Sequence, residues 1–362
     1  MNLGGKPRIL VAPLDWGLGH ATRCIPIIYR LLEQGHEVFI GADGTIKKLL
    51  QQEFPDIEYL PLKGYQINYS KTRRGLFLSM VKQIPKIITA IAGEKRWLKQ
   101  IIKRYKIDIV ISDNRFGLYN TEVYSVFITH QLLIKSPFLQ IFLQRLNYRF
   151  INKYDECWVP DFNEPPYFAG VLSHPKKMPA TPVKYIGFLS RFGKPEKKES
   201  KYILILLSGP EPQRSILEKI MLDELENFPE PVLLVRGLPG SNSLLSVKDS
   251  VKYLNHLPAK QLEEAILNAS FVIARSGYST IMDLLKLKKK AILIPTPGQT
   301  EQEYLASHLL QNNLAFCTGQ QGFNLPETLK AANVFNYAFY DRDATFLQTD
   351  LLERFYQTKD SK

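Results

Sequence analysis

Residues 275–283 read Arg-Ser-Gly-Tyr-Ser-Thr-Ile-Met-Asp, an order that suits an anion held beside a sugar. Ser276 offers a capping hydroxyl, and Gly277 lets the backbone come close to a ligand. A helix opened at this point aims free N–H groups at negative charge. Asp283 follows Gly277 by six residues, which at ~1.5 Å per residue places its carboxylate roughly 9 Å along the helix, about one ribose from a diphosphate at the N-terminus. A second polar run, Gln299-Thr300-Glu301-Gln302-Glu303, carries carboxylate and amide groups that suit sugar hydroxyls. Together the two runs could hold a nucleoside diphosphate sugar on adjacent loops.

The surrounding pattern supplies the elements such a site needs. Apolar runs at 271–274 and 291–295 read as buried parallel strands that deliver the two polar segments, and the periodic run after Thr280 reads as the helix between them. The first half opens in the same style, with a strand at 9–12, the loop Gly17-Leu18-Gly19-His20, a helix over about 21–34 ended by Gly35, and a strand at 36–40. Further strands fall at 107–112, 123–128 and 156–160. A loop-like, proline-rich stretch over 161–200 marks a hinge, after which a second series begins with strands at 202–207 and 232–235 and a segment at 253–256. The expected fold class is therefore α/β, with two Rossmann-like domains facing an interdomain cleft. The expected boundaries are 1–190, 191–335, and a helical tail over 336–362 that packs back on the first domain.

Charge is unevenly placed. The 362 residues carry a formal +12, and residues 1–190 hold 26 Lys+Arg against 15 Asp+Glu, whereas 191–362 hold 21 against 20. Residues 71–106 concentrate eleven basic residues against the single acid Glu94. Because Phe77, Met80, Val81, Ile84, Ile87, Ile88, Ile91, Leu98, Ile101 and Ile102 recur there at helical spacing, this region reads as one or two amphipathic helices. Either they cover a core with lysines in water, or Lys82, Lys86, Lys95, Arg96, Lys99, Lys103 and Arg104 meet an anionic membrane surface while Leu76, Phe77, Leu78 or Trp97 dips into it. A nucleic-acid partner is disfavoured, because the basic residues lack aromatic interleaving or a known motif. Three scattered cysteines suggest neither a disulfide framework nor a zinc site. With no apolar leader and no run of eighteen apolar residues, the chain is expected in the cytoplasm, soluble or peripheral on the inner membrane face.

The ordered set Arg275, Ser276, Gly277, Thr280, Asp283, Pro295, Pro297 and Gln302, with Gly17-Leu18-Gly19-His20 in the first half, resembles the two-domain GT-B glycosyltransferases, and within them glycosyltransferase family 28. The resemblance is good over about 251–310, clear at 9–26 and weak between. It implies donor binding in the second domain: Ser276, Gly277 and Thr280 at the diphosphate with Arg275 or Arg214 in support, Asp283 at the ribose, and Gln299, Glu301 and Gln302 at the donor sugar. His256 and Leu257 resemble the base-packing segment. Ser208-Gly209 resembles a second phosphate-facing turn, although Pro210-Glu211-Pro212 departs from the usual glycine-rich form. The family usually places Glu at the ribose, so Asp283 is one methylene short.

In the first domain the resemblance implies an acceptor side built from Gly17, Gly19 and His130. His20 is the expected general base, since an imidazole with an unperturbed pKa of about 6.5 titrates near neutrality, and Asp113 is expected to orient it or the acceptor. The implied reaction is an inverting, metal-independent hexosyl transfer with no cofactor. Its donor is a UDP-sugar such as UDP-N-acetylglucosamine, and its acceptor is lipid-linked or otherwise membrane-associated. A nucleotide-sugar 2-epimerase is the alternative on the same fold, and a basic nucleic-acid-binding protein the alternative from another class.

Overall fold

The computed structural model describes residues 6–65, 73–136, 139–193, 200–340 and 352–360, with α3 side chains described from Pro85 and α10 side chains to Thr358. The chain divides into two compact units. The first comprises 1–66, 83–189 and 342–362, and the second 67–82 and 190–341. The division after Leu189 falls beside the expected hinge.

The first unit is a seven-stranded sheet in the order β3-β2-β1-β4-β5-β6-β7. Its strands are β1 (Arg8–Pro13), β2 (Glu37–Ala42), β3 (Glu58–Pro61), β4 (Ile109–Asp113), β5 (Tyr124–Ile128), β6 (Glu156–Val159) and β7 (Val183–Tyr185). Every neighbouring pair is parallel. Parallel sheets are covered on both faces, which is why β1 and β4 read as unbroken apolar runs. The register sets Pro13 opposite Asp113 and Asp113 opposite Ile128, so the carboxyl ends of β1, β4 and β5 lie side by side. Its helices are α1 (Leu18–Glu33), α2 (Gly44–Glu53), α3 (Arg73–Tyr105, counted with this unit from residue 83) and α4 (Gln140–Ile151).

The basic region forms one 33-residue helix, α3. From Pro85 onward its inner face is Ile91, Leu98 and Ile102, all buried. Lys86, Arg96, Lys99, Lys103 and Arg104 are exposed, while the ammonium of the exposed Lys95 lies 4.7 Å from the Tyr119 ring centre. The lone acid is spent inward. Glu94 is 3 % exposed and accepts from Arg115 at 2.7 Å, Tyr65 Oη at 2.8 Å and the Gly117 N–H at 2.9 Å. Burial raises its carboxyl, against the opposing pull of Arg115. Trp97, expected at a membrane interface, instead packs on the cluster of Leu10, Phe39 and Leu60, because its ring falls on the sheet side of the helix. The side chains of Leu76, Phe77, Leu78, Met80, Val81, Lys82 and Ile84 lie outside the described residues.

The second unit is a six-stranded parallel sheet in the order β10-β9-β8-β11-β12-β13. Its elements are β8 (Tyr202–Leu206), α5 (Gln213–Leu225), β9 (Val232–Val235), β10 (Val251–Leu254), α6 (Ala259–Leu267), β11 (Ala269–Ala274), α7 (Tyr278–Lys286), β12 (Ala291–Leu293), α8 (Thr300–Gln311), β13 (Phe316–Cys317) and α9 (Leu325–Val334). Ala274 registers with both Leu206 and Leu293, so the loops after β8, β11 and β12 emerge together. The tail helix α10 (Glu353–Asp360) is counted with the first unit, where the Phe355 ring lies 5.7 Å from that of Tyr124.

Candidate active site

In the first unit the register gathers charge at the ends of three strands. His20 lies on the first turn of α1, just past Gly17, whose φ of 107° suits a residue without a side chain. Its Nδ1 lies 2.9 Å from Oδ2 of Asp113, the last residue of β4. Among the described residues Nε2 has no hydrogen-bond partner. Asp113 is fully buried and is also gripped by Arg23, whose Nε lies 2.9 and 3.0 Å from the two carboxylate oxygens and whose Nη2 bonds Oδ1. Arg23 Nη1 donates to His130 Nδ1 at 3.1 Å.

Burial pushes the Asp113 carboxyl upward, but Arg23 and His20 outweigh it and hold it below its ordinary value. Burial and the Arg23 charge lower the His20 pKa, against the smaller raising effect of Asp113. The result is a neutral imidazole oriented by an ionised carboxylate, the arrangement that lets a ring nitrogen accept a proton. His130, expected on the acceptor side, is 5 % exposed and backs Arg23 instead. Arg23 escaped sequence reasoning, since an arginine within an apolar helical pattern gives no sign that partners 90 and 107 residues away enclose it.

The second unit offers backbone where the first offers charge. Gly277 caps α7 without any side-chain hydrogen bond, and a side chain built there would meet no atom within 4 Å. Gly209, at φ 98°, is equally open. By contrast, α2 and α9 carry side-chain caps from Asp43 and Asn324. The N-terminus of α7 carries the partial positive charge of the helix dipole, and Gly277 leaves space beside it. Thr280, on its first turn, is part-buried, and its hydroxyl makes no hydrogen bond among the described residues.

Several expected donor contacts are occupied internally. Arg275 is 1 % exposed, and its guanidinium donates to the carbonyls of Ile294, Pro295 and Gln213 and to Gln320 Oε1 at 2.6 Å. Burial lowers its pKa to about 10. It ties three loops together rather than facing a diphosphate. Arg214 is likewise taken up by Glu211 and Glu218. Ser276 is buried and gives its hydroxyl to the Gln302 carbonyl at 2.9 Å, so only its backbone remains for a ligand.

Gln302 Oε1 accepts from the Thr296 N–H at 2.9 Å, bracing the β12–α8 loop, and its amide NH2 makes no hydrogen bond among the described residues. Gln299 caps α8 through its backbone, and Glu301 follows on the first turn. His256 and Leu257 join β10 to α6. Leu257 is 6 % exposed, and burial, then Arg191, lowers the His256 pKa. Ser208 lies beside Gly209, just beyond β8.

Asp283 differs from a solvated helix carboxylate. Ser190 Oγ donates to it at 2.6 Å, and burial raises its pKa to about 6 despite the opposing pull of Arg191. It is a partly buried carboxylate, with Oδ1 engaged by Ser190 and Oδ2 making no hydrogen bond among the described residues.

Comparison with known proteins agrees with this architecture. Residues 217–338 match the glycosyltransferase family 28 C-terminal domain, and residues 8–155 match a glycosyl transferase family 1 model. An uncharacterized glycosyltransferase of Methanosarcina acetivorans is 25 % identical over 332 residues, covering 82 % of this chain and 81 % of its own. The UDP-N-acetylglucosamine–N-acetylmuramyl-(pentapeptide) pyrophosphoryl-undecaprenol N-acetylglucosamine transferase of Clostridium tetani is 26 % identical over 291 residues, covering 76 % and 75 %. Among solved structures, Acinetobacter baumannii MurG superimposes with a TM-score of 0.55 at 14 % identity over 95 % of this chain and 92 % of its own. The glycotransferase of kitacinnamycin gives 0.64 at 15 % identity over 91 % and 90 %. The chain is a glycosyltransferase of the GT-B fold. Its second unit carries the match to the family 28 C-terminal domain.

Proposed function

We propose that the protein transfers a hexosyl group from a nucleoside diphosphate sugar, with UDP-N-acetylglucosamine the first donor to test, to a hydroxyl of a lipid-linked acceptor. The observation that carries this reading is His20, neutral, oriented through Nδ1 by buried Asp113 and with Nε2 unpartnered among the described residues. Nε2 takes the proton of the acceptor hydroxyl while its oxygen bonds the sugar C1. The C1–O bond to the diphosphate breaks on the opposite face, so configuration inverts. The leaving diphosphate gathers charge at the N-terminus of α7 beside Gly277, where the helix dipole stabilises it without a metal ion. Asp283 accepts hydrogen bonds from the ribose, and Gln302 donates to the sugar.

One observation supports a membrane-associated acceptor. No described helix is long and apolar enough to cross a membrane. Yet α4 leaves Ile141 72 % and Phe142 62 % exposed beside the exposed Arg145 and Arg149, a pairing that suits the interface of an anionic bilayer. The names of relatives such as the Clostridium tetani enzyme point to the same acceptor class. A 2-epimerase needs no external acceptor and leaves the base without a hydroxyl to act on. Incubation with labelled UDP-sugars and a membrane lipid extract tests the reading. Label in the lipid phase with inverted anomeric configuration is expected; label in an epimerised nucleotide sugar, or no turnover with any UDP-sugar, overturns it.

A further inference from the structure

Nδ1 of His20 stands between two groups that make opposite demands. Asp113 Oδ2, 2.9 Å away, only accepts, so Nδ1 must carry a proton to bond it. Arg23 Nη2, also 2.9 Å away, only donates, so Nδ1 must be bare. One nitrogen of a neutral imidazole satisfies one of them. The choice decides function, because a ring protonated at Nδ1 has its lone pair on Nε2, whereas a ring bonded to Arg23 carries its proton on Nε2 and cannot act there as a base.

The deciding group is whatever takes the second Nη2 proton of Arg23, the first being committed to Asp113 Oδ1. Asn114 follows Asp113 directly. Only one orientation of its amide satisfies both ends. In that orientation the NH2 group donates to the Ile128 carbonyl at 3.3 Å and to Thr129 Oγ1 at 3.0 Å, and the oxygen accepts from Arg23 Nη2 at 3.1 Å. The backbone at Asn114 has φ 54°, a region asparagine tolerates better than most residues.

We propose that Asn114 is a positioning residue that fixes the tautomer of His20: by accepting the spare Arg23 proton it leaves Nδ1 free to donate to Asp113 and Nε2 free to take a proton. The inference rests on the reading of His20 as the base. The charged groups facing His20 are Asp113 at the end of β4, Arg23 on α1 and His130 beyond β5, and Asn114 adds no charge to them. The state it sets is a proton position, not a titration.

The test is the long-range proton–nitrogen spectrum of protein labelled with nitrogen-15 in histidine, recorded at about pH 8, where an ordinary imidazole is neutral. The His20 signals are assigned by their loss in His20→Gln. Wild type is expected to show the Nδ1–H tautomer. Asn114→Gly, which removes the acceptor at a backbone angle glycine favours, should switch His20 to Nε2–H and lower kcat about 10²-fold or more with donor affinity unchanged. Asn114→Asp, which keeps the acceptor oxygen, should retain Nδ1–H. An Nε2–H ring in wild type, or an Nδ1–H ring in Asn114→Gly, overturns the proposal. A tautomer switch with unchanged turnover supports the positioning role and overturns the assignment of His20 as base.

Discussion

The carboxyl ends of the two sheets are furnished in opposite ways. In the first unit they carry ionisable side chains packed against one another, with Asp113 wholly buried and His20, Arg23 and His130 around it. In the second they carry open glycines and a helix begun at Gly277, while the nearby arginines are turned inward as struts. The difference suits the two tasks proposed for the units. Moving a proton needs a titratable group of fixed tautomer, which only a buried and fully bonded neighbourhood supplies. Holding a diphosphate needs N–H groups that already point outward, and a guanidinium is then free to do structural work.

If this division holds, removing the base is the most damaging change. His20→Ala should lower kcat about 10²–10⁴-fold with UDP affinity intact. In the wild-type enzyme the acid limb of the rate profile should lie below 6.5, because burial and Arg23 disfavour the imidazolium and the neutral base persists to lower pH. Steady-state kinetics across pH check both statements, and a limb above 6.5 would mean that another group takes the proton.

Arg23 should matter to the fold as well as to rate. Arg23→Met leaves Asp113 buried without its charge partner, for which a loss of about 3–5 kcal/mol is expected in urea melts near neutral pH. At low pH that penalty should shrink, since the Asp113 carboxyl, held down by Arg23 in the native state, is then protonated in both states. A pH-independent loss would show that Arg23 acts by packing alone.

Asp283 sharpens the contrast from the other unit. Asp283→Asn should weaken UDP binding roughly tenfold to a hundredfold while keeping an acceptor for Ser190. The same change should stabilise the protein. The native pKa of about 6 lies above the ordinary 3.8, so the folded state holds an extra proton between those values and loses stability as pH rises through that window. Above it, Asp283→Asn removes a penalty of roughly 3 kcal/mol. Thermal melts at pH values on either side of the window check the sign.

The smallest effect belongs to the surface. Ile141→Ser with Phe142→Ser should reduce binding to anionic vesicles by about 2 kcal/mol, or roughly thirtyfold, without touching UDP affinity. Equal cosedimentation of variant and wild type would remove α4 from the membrane reading.

Much of the framework was legible in the sequence because parallel strands announce themselves as apolar runs and their helices as periodic ones. The 269–286 strand–turn–helix stands where its pattern places it, whereas Leu18, Gly19 and His20, expected in a loop, already form the first turn of α1. Less visible were β3, β7 and β13, edge strands of two to four residues with too little periodicity to read. The site was legible only in part. Asp113 is recognisable at a strand end, but sequence cannot say that Arg23 reaches it. Nor can it say that Arg275 spends its guanidinium on the carbonyls of Ile294, Pro295 and Gln213. Those choices depend on side chains meeting across the sheet register, a long-range fact that local composition does not encode.

The division between the units is tested most directly by calorimetric titration of UDP into wild type, His20→Ala and Asp283→Asn, each paired with its transfer rate. His20→Ala should bind UDP as wild type does and fail to transfer, whereas Asp283→Asn should bind at least tenfold more weakly. Weakened UDP binding in His20→Ala, with wild-type binding in Asp283→Asn, would contradict the placement of donor and base in separate units.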